Sequence, residues 1–222
     1  MTNQEKLTDK LWASITPIFQ GILKHSFLKG LTSGKLQTNR FKEYVIQDSL
    51  YLYDFSKSLQ LLTNTAPRQA WKNKFAIDSR IALEVERSLH ESFFSYWRFD
   101  KVALERRKKN PSNTAYTSYI LATTATRPFH EGVASVLPCY WIYLKVGRHL
   151  ERLGSPNKLY QKWINTYSSE QYETGVNEAL EIANSLKLTE AEEDACIERF
   201  RTAAIYEFMF WNAAYTFEKW KY

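Results

Sequence analysis

Apolar residues recur at helical spacing along nearly the whole chain, and no segment alternates at period two for more than a few residues. Leu7, Leu11, Ile15, Ile18 and Ile22 step by 4, 4, 3 and 4, which predicts an amphipathic first helix ending near Gly30, with a turn at Ser33-Gly34. A second helix is predicted over about 38–63. Pro67 then suits the first turn of a third, which carries Trp71, Phe75, Ile81, Val85, Leu89 and Tyr96. Asn110-Pro111 breaks the chain before a helix over about 112–126, and Arg127-Pro128 punctuates the next, over about 129–153. After Gly154-Ser155-Pro156 comes a short helix near 158–165. Ser168 with Gln171 has capping-box spacing and opens a helix to about Leu186. Thr189 with Glu192 repeats the signal and opens the last, to about Trp220. The pattern predicts an all-α fold of seven to nine helices, with residues 1–222 as one domain.

Composition narrows this further. A chain of 222 residues buries about 70–75% of its unfolded surface, enough for a core without disulfides or a structural metal. Only 7 Gly and 6 Pro agree with long helices, and 44% hydrophobic residues argue against disorder. The two cysteines, Cys139 and Cys196, form no CxxC pair. The net charge of +6 is spread out. Its one dense cluster, residues 105–110 (ERRKKN), reads as a solvated helix end, so no nucleic-acid partner is expected. The charge-free run 134–144 is half the length of a membrane span, so no membrane partner is expected either. The polar N-terminus lacks an apolar signal core, and with few cysteines it points to the cytoplasm.

Four polar groups stand out on apolar faces. Asp48 shares a helix face with Tyr44, Tyr51 and Phe55. It reads either as the polar anchor of a pocket for a flat heteroaromatic ligand, or as a surface acid beside tyrosines. Glu207 interrupts the stripe Phe200, Ala203, Ala204, Phe210, Trp211 and Ala214. Burial there would make it a proton donor near neutral pH, or a structurally satisfied carboxyl. Cys139 follows Pro138 and precedes Tyr143 by one turn. Pro138 must kink a helix or start one. In the second case the thiol sits in a first turn, where the dipole lowers its pKa; the alternative is an inert core thiol. Glu86 and His90, one turn apart with Glu84 nearby, have metal-binding spacing. No His follows His149 to complete a di-iron set, and His25 alone is a weak haem candidate. No metal is expected.

These groups fall within six segments: His25-Ser26-Phe27 with Gly30 and Gly34; 41–52 (FKEYVIQDSLYL); 115–119 (AYTSY); 137–143 (LPCYWIY); 160–167 (YQKWINTY); and 206–211 (YEFMFW) with Ala214-Tyr215. In this order and spacing the chain resembles the thiaminase II (TenA) family along nearly its whole length. It departs at Ser26, where a Pro is common. The resemblance implies an all-α, haem-oxygenase-like bundle, usually a homotetramer, with no cofactor. It implies hydrolysis of the pyrimidine-methylene bond of thiamin or of aminomethylpyrimidine, giving hydroxymethylpyrimidine for thiamin salvage. Cys139 places the chain with the members that keep an active-site Cys.

By the same resemblance, Asp48 anchors the pyrimidine, and Tyr51, Phe55 and Tyr116 line or stack on it. Cys139 is the nucleophile, Glu207 the proton donor, and Tyr143 and Tyr167 orient the thiol. Glu84 and Glu86 stay unassigned. Two rival readings share the fold: a metal- or haem-dependent relative, and a non-catalytic pyrimidine-binding regulator.

Overall fold

Leu11, Ile15 and Ile22 lie fully buried along α1, Leu7–Lys24, as the stepping of apolar residues requires. The computed structural model describes residues 5–99 and 106–222, without the side chains of residues 85–88. The first helix does not run on to Gly30. His25 adopts an extended backbone, and its Nδ1 accepts the Phe27 N–H at 3.1 Å, capping a separate helix α2, Ser26–Thr32. Gly34 then turns with φ +69° against the Pro156 ring, a conformation that favours glycine.

Two 28-residue helices follow, α3, Thr38–Thr65, and α4, Gln69–Tyr96, packed side by side. Pro67 lies one residue before the Arg68 N-cap of α4 rather than inside its first turn. Ile81 and Tyr96, expected on the apolar face of α4, are exposed. Of the cationic run, residues 107–110 are irregular; whether it follows a helix end turns on residues outside those described. Arg107 pairs with Glu43 and Lys109 with Asp54, both on α3. Glu105 lies outside the described residues.

Asn110 caps α5, Pro111–Thr126, accepting the Asn113 N–H at 2.8 Å, and Pro111 fills its first position. The Gln47 side chain binds both the Asn110 N–H and the Asn113 amide, which fixes the start of α5 on α3. Next, α6, Phe129–Glu151, is buried nearly all round. It runs without interruption through Pro138. Cys139 therefore sits mid-helix, and the first-turn dipole argument for its thiol does not apply.

Asn157 caps α7, Lys158–Tyr167. The serine that caps α8, Glu170–Asn184, is Ser169, one residue later than the sequence suggested; it accepts the Tyr172 N–H. The Thr189–Glu192 capping box opens α9, Glu190–Thr216, as expected. That helix stops at a left-handed Phe217, so Trp220 lies beyond it, its indole donating to the Lys109 carbonyl. The described residues are all-α. The hub is α6, packed on α9, α5, α7, α8 and α3. Among the described residues, no helix is long and apolar enough to cross a membrane.

Candidate active site

Five helices bring side chains into one buried aromatic cluster within the bundle. Asp48, Tyr51 and Phe55 come from α3, Tyr116 from α5, Cys139 and Tyr143 from α6, Tyr167 from the end of α7, and Glu207 from α9. All eight are buried. Asp48 is only 3% exposed, so the surface reading of this acid is excluded. Tyr51 stacks on Phe55 with ring centres 5.6 Å apart and lies 5.0 Å from Tyr116. Tyr143 lies 4.8 Å from Tyr167 and 5.2 Å from Trp211.

Glu207 is 1% exposed. Burial pushes its carboxyl up to about 8; a hydrogen bond from Tyr116 opposes the rise and the nearby Asp48 adds to it. The Tyr116 hydroxyl donates to Glu207 Oε1 at 2.7 Å. The upward shift is the direction that burial on the apolar face of α9 demands.

The phenols show what surrounds them. Burial raises the hydroxyl pKa of Tyr51 and of Tyr116, and both also feel Cys139 and Glu207. Burial likewise raises Tyr143, followed by Tyr44, Asp48, Glu207 and Tyr167. Cys139 and Glu207 thus both act on Tyr51 and Tyr116, and Asp48 and Glu207 both act on Tyr143. Tyr51 Oη is buried beside Tyr116 without a hydrogen bond of good geometry, which leaves it able to meet a ligand atom. The Tyr44 hydroxyl donates to the Tyr143 hydroxyl at 3.2 Å.

Gly147 brings α6 onto the end of α7. A Cβ there would come within 2.6 Å of the Tyr167 carbonyl, so the close approach that seats Tyr167 needs a glycine.

Several neighbours were not assigned from sequence. Tyr172 on α8 donates to the Cys139 carbonyl at 3.2 Å. Tyr140 donates to Asp78 at 2.6 Å, and Lys74 binds both Asp78 and Glu178 at 2.9 Å. Burial raises the Asp78 carboxyl, with Lys74 opposing. His90 Nε2 lies 3.0 Å from Asp48 Oδ2. Except for Lys74–Asp78, one turn apart on α4, each pair bridges separate helices, and local spacing carries no signal for that. Glu84 is exposed, and Glu86 lies outside the described side chains. His25 Nδ1 is committed to its cap, and its Nε2 lies 3.5 Å from Asn212 Oδ1, an arrangement unlike a haem ligand. Among the described residues, no three His, Cys, Asp or Glu side chains could hold a metal ion together.

The arrangement of helices is a haem-oxygenase-like bundle whose interior holds an aromatic cluster with one thiol and two acids. A domain of unknown function with a heme oxygenase-like fold from Shewanella denitrificans OS217 shares it at TM-score 0.75, over 94% of this chain and 92% of that chain; at 13% identity the likeness is of fold alone. The TenA homologue protein from P. horikoshii OT3 matches at TM-score 0.90 and 26% identity, over 96% of this chain and 99% of that one. An aminopyrimidine aminohydrolase of Bacillus subtilis (strain 168) is 30% identical over 217 residues, 97% of this chain and 92% of that protein. The model of the TENA/THI-4/PQQC family matches residues 12–217, and the chain belongs to that family.

Proposed function

We propose that this protein is an aminopyrimidine aminohydrolase (thiaminase II) of the kind that keeps an active-site Cys. It hydrolyses the bond between the pyrimidine methylene and its leaving group. The observation that carries the reading is the Glu207 carboxyl, held protonated by burial and bonded to Tyr116, beside phenols that also border Cys139. The related aminopyrimidine aminohydrolase from Bacillus subtilis supports the same chemistry.

The steps follow from the groups present. Asp48 accepts from the exocyclic amine, with Tyr51, Phe55 and Tyr116 against the ring. Cys139 sulfur forms a bond to the ring carbon beside a ring nitrogen as the thiol gives up its proton, and that nitrogen takes the Glu207 proton. The loss of aromaticity lets the methylene bond break, and the electron pair leaves with the thiazole of thiamin, the thiol proton passing to solvent, or with the amine, which takes that proton and departs as ammonia. Water adds to the exposed methylene and gives up a proton. The carbon–sulfur bond then breaks with its electron pair on sulfur, which takes the proton from the water and is a thiol again; the proton on the ring nitrogen returns to Glu207, and hydroxymethylpyrimidine departs. Tyr143 and Tyr167 orient the thiol.

The reading includes a cytoplasmic homotetramer. Reduced, buried Cys139 and Cys196 suit a reducing compartment. Ile77 and Ile81, exposed one turn apart on α4, offer an apolar face to a second copy, and light scattering on the purified protein measures the mass directly. The function is tested by incubating the protein with thiamin and with aminomethylpyrimidine and quantifying hydroxymethylpyrimidine. Release from either compound is expected. Binding without turnover would favour a regulator, and stoichiometric iron or a Soret band would favour a metal- or haem-dependent relative.

A further inference from the structure

His90 and Asp48 stand on adjacent helices, α4 and α3, with His90 Nε2 3.0 Å from Asp48 Oδ2 and both side chains 4% exposed. An ionised carboxylate only accepts hydrogen bonds, so Nε2 carries the proton and donates. Asp48 Oδ1 makes no hydrogen bond among the described residues. The pair therefore presents one carboxylate oxygen fixed by an imidazole and one left for a ligand. Holding a buried carboxylate in one rotamer, and compensating its charge with an N–H donor, is what a single-sided acceptor site requires.

We infer that His90 is a positioning residue that aims Asp48 Oδ1 at the exocyclic amine of a 4-aminopyrimidine and makes the site reject the 4-oxo ring. This rests on the function proposed above. A 4-amino group offers an N–H to the waiting oxygen, whereas a 4-oxo group sets one acceptor against another and leaves both buried and unpaired. With His90 removed, Asp48 can turn, and its oxygens no longer hold the geometry that separates the two rings. The metal-ligand role suggested by the spacing of Glu86 and His90 gives way to this one, because Nε2 is committed to Asp48.

The test compares His90→Leu, His90→Asn and His90→Gln, with thermal unfolding of each to establish folding. Gln places an amide N–H where Nε2 was, while Asn stops short of Asp48. In Leu and Asn variants KM for aminomethylpyrimidine is expected to rise about tenfold or more, with kcat changed much less. The preference for hydroxymethylpyrimidine over its 4-oxo analogue as inhibitor should fall by roughly the same factor, and Gln should restore most of both. Adding His90→Leu to Asp48→Asn should change KM no further. A folded Leu or Asn variant with wild-type KM and selectivity would overturn the assignment. If the wild-type protein shows no turnover, the proposed function fails, and calorimetry with hydroxymethylpyrimidine still decides for or against His90.

Discussion

Tyr116 and Glu207, 91 positions apart in the chain, are joined by a buried hydrogen bond of 2.7 Å. The bond favours the carboxylate, while burial, the larger effect, favours the acid and pushes Glu207 up to about 8. Turnover that needs the Glu207 proton should decline as pH rises through about 8. Glu207→Gln should lower kcat roughly a hundredfold or more and remove that limb. Tyr116→Phe removes the contact that opposes the rise, so its limb should move to higher pH. A pH–rate profile of the three proteins checks all of this.

The same carboxyl makes stability depend on pH. Its folded pKa stands above the ordinary value of 4.5, so between 4.5 and about 8 the folded chain holds a proton that the unfolded chain releases. This contribution is fully present below 4.5 and is lost as pH rises through about 8. Denaturant titrations across that range should show wild-type stability falling relative to Glu207→Gln.

Cys139 and Cys196 differ in surroundings. Cys196 is fully buried, and burial pushes its thiol up to about 12; Cys139 is 8% exposed and acts on the Tyr51 and Tyr116 hydroxyls. Cys139→Ser should lose roughly a hundredfold or more in turnover, while Cys196→Ser stays active. Iodoacetamide should label Cys139 first, and mass spectrometry of the alkylated protein reads the order.

Asp48→Asn keeps the shape of the anchor and replaces an acceptor oxygen by a donor. Its main effect should be a KM for aminopyrimidine raised about tenfold or more. Steady-state kinetics separates that from a loss in kcat.

Gly147→Ala would drive a methyl into the Tyr167 backbone. A stability loss of about 1–3 kcal/mol is expected. Turnover should fall with it, because Tyr167 moves. Thermal unfolding together with kcat tests the pair of effects.

Apolar stepping and capping residues made most helices legible before the structure. Thr189 with Glu192 and Asn110-Pro111 sit where their chemistry demands. The misses were local. His25 caps with a ring nitrogen, an uncommon acceptor, so the break after Lys24 carried no familiar signal. Ser168 and Ser169 are adjacent candidates that spacing alone cannot separate. In the site, Asp48 and Glu207 were visible as acids on apolar faces. His90 stood out only for its metal-binding spacing with Glu86, and its pairing with Asp48, like the Tyr172 and Tyr140–Asp78 contacts, was not legible, because each works through a partner on another helix.

The central claim is that Cys139 sulfur and the Glu207 proton act in one step on one ring. The double variant Cys139→Ser with Glu207→Gln, assayed beside its two parents for hydroxymethylpyrimidine release, tests it most directly. Groups that act as a unit give non-additive losses, so the double variant should be about as slow as the slower single one. Near-normal turnover in either single variant, or losses that multiply to about ten-thousandfold in the double, would contradict it.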